Sequence, residues 1–425
     1  MSSDTLTRTT PSSSLTTGSA PLGSTRDGVA PWMLVASALF AVAWGGNQFT
    51  PLLTMYKDID GLSTGAVDML LGAYVLGIMP ALLIGGPASD RYGRRPLMLP
   101  APLFAMLASV LLAVGAHSPL VLFVGRIFSG IALGLVMVVG GSWIKELSDV
   151  PFDDADATAG ARRASIAMTA GFALGAALAA GLAQFAPMRA QLPYVVHLVV
   201  TGLSFIALLR APESRGRSEV PGRLVDDLKV PTAKHRRFLF VVVPMAPWVF
   251  GCAGSAYAIL PGLMSSRTHG LDVAFSGLLC LIALGFGIGV QSLAKRLDDV
   301  ASARAIVVAL AATVPGMGLA AWAAASVNPW IAVLAAAWLG ASYGLLLVSG
   351  LQEVQRIAGP NDLAGLTAVY YSITYLGFFV PAALAGLSTW LGYDVMFVGG
   401  VVIALACLGV VAGFYRKHLP SALSV

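Results

Sequence analysis

Charge is what this sequence lacks most. Of 425 residues only 11% are Asp, Glu, Lys or Arg, 57% are apolar, and the mean hydropathy is +0.80. A soluble domain carries roughly 25% charged residues. A chain so poor in charge cannot clothe a water-facing surface, so its surface faces lipid. Cysteine is scarce too. Cys252, Cys280 and Cys407 lie in apolar runs with no metal-type spacing and read as small buried residues, which argues against redox or zinc chemistry. The five histidines (117, 197, 235, 269 and 418) are scattered, and His197, near the end of an apolar run, reads as a satisfied core residue. Without clustered His, Asp or Glu there is no metal site and no catalytic constellation. Without a Gly-Lys-Ser/Thr loop there is no ATP-driven pump. No cofactor is expected.

Residues 1–30 hold almost no large apolar side chains and are rich in Ser and Thr, which reads as a disordered cytoplasmic tail. The first apolar run starts only near Pro31 and is too long for a signal peptide.

What the sequence does have is apolar runs of membrane length. A bilayer core about 30 Å thick takes roughly 20 residues of helix. Read at that length, the chain gives spans at 31–56, 66–86, 97–115, 120–141, 164–185 and 193–210, then 238–262, 273–294, 304–325, 330–351, 364–387 and 394–414. With the N-terminus inside, 22 of the 26 Lys and Arg fall in tails and cytoplasmic loops; only Lys57, Arg189 and Arg267 fall outside, and Arg126 lies within a span. That is the positive-inside bias. It accounts for the pI near 9.2 without nucleic acid.

The expectation is an all-α integral membrane protein of twelve transmembrane helices in two pseudo-symmetric six-helix bundles, 31–210 and 238–415. A basic cytoplasmic linker (211–237) joins them and a short cytoplasmic tail (416–425) follows. Two halves of matching length are the pattern of an internal repeat. "GFALGAALAAGLA" from Gly171 and "GFFVPAALAGL" from Gly377 echo each other faintly. "RLVDDL", Arg223 to Leu228, is a candidate short surface helix in the linker.

The most specific segment is "GPASDRYGRRP", Gly86 to Pro96, between spans 2 and 3. Gly86-Pro87 reads as a helix end, Gly93 as the tight return, Asp90 as an acceptor at a helix start, and Arg91, Arg94 and Arg95 as anchors at the cytoplasmic face. A plain basic turn is the competing reading. At this point the sequence resembles the major facilitator superfamily over about 31–415, with the character of bacterial efflux-type members. Gly86, Asp90, Arg91, Gly93, Arg94 and Arg95 match that family's loop pattern, and Ala88 replaces its usual Leu. The resemblance implies a cytoplasmic gate that latches the halves when the cavity faces outward. Asp90 would then face the start of span 11, near Asn361 to Gly365. Arg94 would meet an acid at the end of span 4, for which Glu146 is the best-placed candidate.

Arg126 is the one basic residue inside a span, and burying it costs about 2.5–3.5 kcal/mol on insertion scales. It shares a helical face with Gly130, Gly134 and Gly141, a stripe that lets another helix approach. Snorkelling to the interface is the alternative. "LFVGRIFSG" also resembles the family's fourth-helix pattern, which implies a role in proton coupling or in holding an anionic group. Asp68, early in span 2, is the nearest candidate carboxylate for coupling, though an exposed helix-start position suits it equally. In the family, spans 1, 4, 7 and 10 line the cavity. The implied substrate contacts are Trp44, Asn47 and Gln48; Trp248, Ser255 and Tyr257; and Trp338, Ser342 and Tyr343, with Tyr371 and Tyr375 from span 11. Adjacent amides at 47 and 48 also need partners in hydrocarbon on physical grounds alone.

Two departures bear on substrate. Gly175-Ala176 stands where many drug antiporters of the superfamily carry Gly-Pro, and "PESR" from Pro212 resembles a sugar-porter signature without a counterpart after span 12. The leading expectation is a monomeric secondary transporter of the inner membrane. It would export small amphipathic solutes in exchange for protons by alternating access, with both termini cytoplasmic. Uptake of a sugar or organic acid by proton symport is the alternative. A membrane enzyme or sensor is remote, since no sizeable soluble domain or catalytic cluster is present.

Overall fold

The structure is a computed structural model that describes residues 29–58, 62–156, 159–216, 230–359 and 363–419. The helix expected at Arg223 to Leu228 falls outside them. So do the tail over 1–28 and the Asn361 end of the expected Asp90 contact.

Among the described residues twelve helical spans follow one another, ten of them helices long and apolar enough to cross a membrane. The first, α1, runs over 31–57 as Pro31–Gln48, a 3-10 turn Thr50–Leu52, and Leu53–Lys57. Then come α2 (Gly65–Tyr92), α3 (Arg94–Val114), α4 (Pro119–Glu146), α5 (Ala159–Phe185) and α6 (Leu192–Leu208). The second set is α7 (Phe238–Leu263), α8 (Asp272–Ala294), α9 (Arg304–Ser326), α10 (Pro329–Ile357), α11 (Leu363–Leu387) and α12 (Tyr393–Phe414). Within the first bundle α1 packs on α5 and α6, α4 on α2 and α3, and α3 on α6. Within the second, α7 packs on α11, α10 on α8 and α9, and α9 on α12. The two patterns are the same under a shift of six helices. Across the bundles, α5 meets α8 and α2 meets α11.

Burial follows this plan. The apolar stretches of α2 and α7 are 67% buried, that of α12 only 22%, so α12 lies on the lipid-facing rim. Close helix pairs form where glycine removes the side chain. A Cβ at Gly130 would strike the Tyr74 carbonyl of α2, and one at Gly344 would strike the Gly287 carbonyl of α8, the same contact in the other bundle.

Three sequence expectations change here. The helix of α2 does not end at Gly86-Pro87; it continues through Pro87 to Tyr92. Proline is tolerated in membrane helices because neighbouring groups re-satisfy the freed carbonyl. Asp90 therefore sits in a last turn and not at a helix start. Gly141 is not in the close-packing stripe: Gly130 and Gly134 meet α2, whereas nothing approaches Gly141. A π-helical turn at Val136–Gly140 inserts extra rotation between them and swings Gly141 to another side.

Candidate functional site

A cavity of about 320 Å³ lies between the bundles. Its wall includes Asn47, Thr50, Tyr74, Arg126 and Phe172 from the first bundle and Phe250, Tyr257, Tyr343, Tyr371, Tyr375 and Phe378 from the second. Ser165 near the start of α5, Gln291 near the end of α8 and Leu351 near the end of α10 carry the wall toward one end of the molecule. That end bears Arg91, Arg94, Arg95, Lys145, Arg162, Arg163 and Arg356, and is called the basic face below.

The opposite end is sealed. Gln184 Nε2 donates to the Gly270 carbonyl (2.9 Å) and Gln184 Oε1 accepts from the Ala274 amide (3.1 Å), joining α5 to α8. Gly277 of α8 lies against Ala180 of α5, and Phe379 of α11 fills the space beside Gly72 of α2. The cavity is thus closed at the sealed face and extends toward the basic face.

An aromatic cluster forms the cavity's centre. Phe250 stacks on Tyr375 with ring centroids 4.3 Å apart and on Phe378 at 4.7 Å, and Tyr74 of the first bundle meets Tyr375 edge-on at 6.3 Å. Arg126 is 1% exposed, so it does not snorkel. Its guanidinium carbon stands 4.5 Å from the Phe49 ring centre and 4.3 Å from that of Tyr74, and Nε donates to the Leu70 carbonyl at 3.2 Å. Nη1 has no hydrogen-bond partner among the described residues. Cation–π contact offsets part of the desolvation of this charge. Among the described residues, no Asp, Glu, Lys or His lines the cavity.

At the basic face Arg94 is the hub. It pairs with Glu146 at 2.7 Å, with Asp90 at 2.9 Å, and donates to Ser89 Oγ at 2.6 Å. Asp90 also meets Arg215 at 2.9 Å. Gly93 takes φ +98°, the left-handed return that so short a loop requires. Glu213 lies against it: its carboxylate accepts from the Arg94 amide at 3.0 Å and the Arg95 amide at 2.9 Å. These are first-turn amides of α3 with no intrahelical partner, so the acidic side chain caps that helix. Arg95 further donates to the Leu209 carbonyl at 2.8 Å. All these described partners belong to the first bundle and the segment just after it.

The second bundle has its own basic-face cluster. Arg237 and Glu353, 0% and 2% exposed, form an ion pair, and Glu353 also meets Arg356 at 2.7 Å. Arg356 continues to Asp298 at 2.8 Å, and Arg237 donates to the Lys417 carbonyl at 2.9 Å.

Of the expected substrate contacts, Asn47, Tyr257, Tyr343, Tyr371 and Tyr375 line the cavity. Trp44, Gln48, Trp248, Ser255, Trp338 and Ser342 do not. Gln48 follows Asn47 by one residue, about 100° around the helix. It turns into the first bundle, where Nε2 reaches Ser109 Oγ at 3.4 Å and Ser109 bonds His197 Nδ1 at 2.7 Å. Trp44 stands on the Gln48 side, one turn earlier; its backbone lies against Gly171 and Gly175 of α5 and its ring meets that of Phe40 edge-on at 5.8 Å. Trp338 is 42% exposed on the lipid side, its indole N–H tied to the Ala312 carbonyl at 2.7 Å, and Ser342, one turn on, bonds the Trp338 carbonyl. Ser255 is buried in a π-helical stretch of α7, which shifts the helical face away from the one a regular count gives. Trp248 is half-buried at the edge of the core. Asp68 is neither an exposed cap nor a neighbour of the cavity; it is 2% exposed and paired with Lys57. Sequence reasoning missed Thr50, Tyr74, Phe172, Phe250, Gln291 and Phe378, because apolar and isolated polar residues carry no mark of which helix face turns inward.

The sequence profile described as Major Facilitator Superfamily matches residues 33–382. The chain belongs to that superfamily. It is therefore a multi-pass membrane transporter and not an enzyme. It is 23% identical over 402 residues to the chloramphenicol resistance protein of Pseudomonas aeruginosa, covering 91% of this chain and 90% of that one. It is 28% identical over 256 residues to the multidrug transporter MdfA of Edwardsiella piscicida, covering 57% of this chain and 60% of that one. A stretch of 93 residues is 32% identical to the probable inositol transporter 2 of Arabidopsis thaliana, only 22% of this chain and 16% of that protein. Among solved structures, a POT family transporter in complex with 5-aminolevulinic acid superposes with a TM-score of 0.75 at 13% identity, over 91% of this chain and 96% of that one. A D-xylose–proton symporter gives a TM-score of 0.66 at 15% identity, over 93% and 99%. At such identities the structures establish the shared twelve-helix, two-bundle fold and nothing finer.

Proposed function

We propose that this transporter is a proton-driven exporter of small amphipathic organic compounds, working as a monomer in the inner membrane. The observation that carries this reading is the cavity: aromatic, with no carboxylate among its described lining, sealed at one end and extending toward the other. By the positive-inside bias the basic face is cytoplasmic, with both termini on that side. The conformation then corresponds to an exporter ready to load from the cytoplasm. A wall of stacked rings with Asn47, Thr50 and one buried cation suits neutral or anionic, partly apolar molecules better than polycations. The relatives named for chloramphenicol and multidrug resistance support export over uptake.

In this reading the loop from Gly86 to Arg95, with Glu146, fastens the bundles' cytoplasmic rim when the cavity faces outward. Here Asp90 turns to Arg94 and Arg215 of its own side. Efflux of neutral and anionic amphipathic dyes from energised cells tests the proposal. Expression of the chain should speed efflux, and a protonophore should abolish the gain. Efflux indifferent to the protonophore overturns proton drive. Accumulation of a sugar or organic acid by oriented vesicles would put uptake in its place.

A further inference from the structure

Among the described residues no carboxylate lines the cavity, yet a buried carboxylate stands elsewhere, in the seal. Asp68, early in α2, is 3% exposed at its side chain, and Lys57 at the end of α1 reaches it with Nζ 2.8 Å from Oδ1. Two elements of the other bundle meet this pair. Gly262 of α7 lies against Lys57 Nζ, with a Cβ there only 3.9 Å away, and Tyr393 at the start of α12 stands within Coulomb range of Asp68. The pair thus sits beside Gly262 of α7, where the last turn of α1 packs on α8 of the other bundle.

We infer that the Lys57–Asp68 pair is an acid-sensitive lock in the seal, separate from the solute cavity, that responds to pH on the sealed side. The inference rests on the transport reading above. With Asp68 ionised, each buried charge satisfies the other and Lys57 is held inward against α7. A proton arriving from the sealed side bonds to a carboxylate oxygen of Asp68 and leaves it neutral. The ammonium of Lys57 then has no counter-charge in a low-dielectric setting and gains by moving to water, which draws the end of α1 off α7. Opening of the seal hydrates both groups, and on reclosure the proton returns to water on the same side, so the lock responds to pH there and carries no proton across. Proton and solute act at different places and are linked only through the conformation both bias.

Among the described residues, the other charged groups at this end include Arg267 just after α7, Asp394 in the first turn of α12, and three nearer Lys57. Asp58, next along the chain beyond Lys57, is at the surface; partial burial first, then the nearby Asp272 of α8, raise it above the usual carboxylate range, and Arg189 opposes that shift. None of these three is paired with Lys57 or Asp68 among the described contacts.

The test uses the full chain in nanodiscs, with spin labels at Met188 of the first bundle and His269 of the second, both on the sealed face. Wild type should give one short distance at pH 8 and a growing long-distance population toward pH 5. Asp68→Asn should show the long population at every pH, with its pH response reduced at least fivefold. Lys57→Met should also lose the response. The exchanged pair Lys57→Asp with Asp68→Lys should restore it, which separates a lock from a merely damaged fold. A wild-type pH response in Asp68→Asn overturns this inference and leaves the transport reading intact. Should wild type show no second distance at any pH or with any cavity ligand, alternating access itself fails and the inference with it.

Discussion

Gln184 of α5 caps the first turn of α8 in the other bundle: its Oε1 takes the Ala274 amide at 3.1 Å while its Nε2 serves the Gly270 carbonyl at 2.9 Å. Ala274 lies too near the helix start to find an intrahelical acceptor, so the bond meets a standing demand. One side chain therefore makes two hydrogen bonds that exist only while the seal is shut. Each contributes about 0.5–1.5 kcal/mol, and at this partly exposed site the lower end applies. Gln184→Leu should shift the equilibrium toward outward-open by roughly fivefold. Distances between spin labels across the sealed face would register the shift. An unchanged distribution would mean the packing of Gly277 on Ala180 holds the seal alone.

Asp90 is 42% exposed at its side chain and is shared between Arg94 and Arg215. It contributes little to this conformation because water already solvates it. Its proposed role lies in the other state, where the rim closes. Asp90→Asn should therefore slow transport in proteoliposomes about tenfold or more while affinity for a cavity ligand stays within twofold. Full transport by the variant would reduce the loop to a topology signal.

Glu213 presents the complementary case, a residue whose effect is on this state. Its carboxylate satisfies two orphan amides of α3, those of Arg94 and Arg95. Loss of such a cap costs about 1 kcal/mol at an exposed site. Glu213→Ala should lower the thermal midpoint by a few degrees, with Glu213→Gln between it and wild type. Equal midpoints would mean the segment after α6 docks without strengthening the gate loop.

Arg237 and Glu353 make the sharper stability test, since both are essentially out of water. Removing the cation strands the acid, with only Arg356 left to it. Arg237→Met should cost roughly 3 kcal/mol, and adding Glu353→Gln should recover part of the loss. Denaturation midpoints of the single and double variants decide the point; additive losses would show that no coupling exists.

The pattern of what was legible follows from these cases. Span positions were readable because a bilayer demands about twenty apolar residues whatever the substrate. The partner of Arg94 was readable because Glu146 ends the helix that faces the loop. Contacts that depend on rotation about a helix axis were not. Asn47 and Gln48 are adjacent and chemically alike, yet one lines the cavity and the other joins the Ser109–His197 network. The π-helical turns at Val136–Gly140 and Ser255–Ile259 shift every downstream face, and no residue in either announces it. The Arg237–Glu353 pair joins residues 116 positions apart, a distance over which charge pattern alone carries no pairing.

Rotation also decides which aromatic rings bind. Phe250 is stacked on Tyr375 and Phe378 in the cavity wall, whereas Trp338 faces lipid with its indole N–H already engaged by Ala312. A well-placed aromatic pair contributes about 0.5–1.5 kcal/mol beyond its buried area. Adding the lost apolar contact, Phe250→Ala should weaken binding of an amphipathic ligand by about tenfold or more. Trp338→Leu should leave it unchanged while slightly loosening the α9–α10 packing. Tyr375→Phe should sit between them, since it keeps the stacked ring and removes only the hydroxyl that rests on the Met137 sulfur at 3.3 Å. Titration of one fluorescent amphiphile against the three purified variants would rank them. If Trp338→Leu lost affinity and Phe250→Ala kept it, the solute would have to bind on the lipid side of α10, and the cavity could no longer be its site.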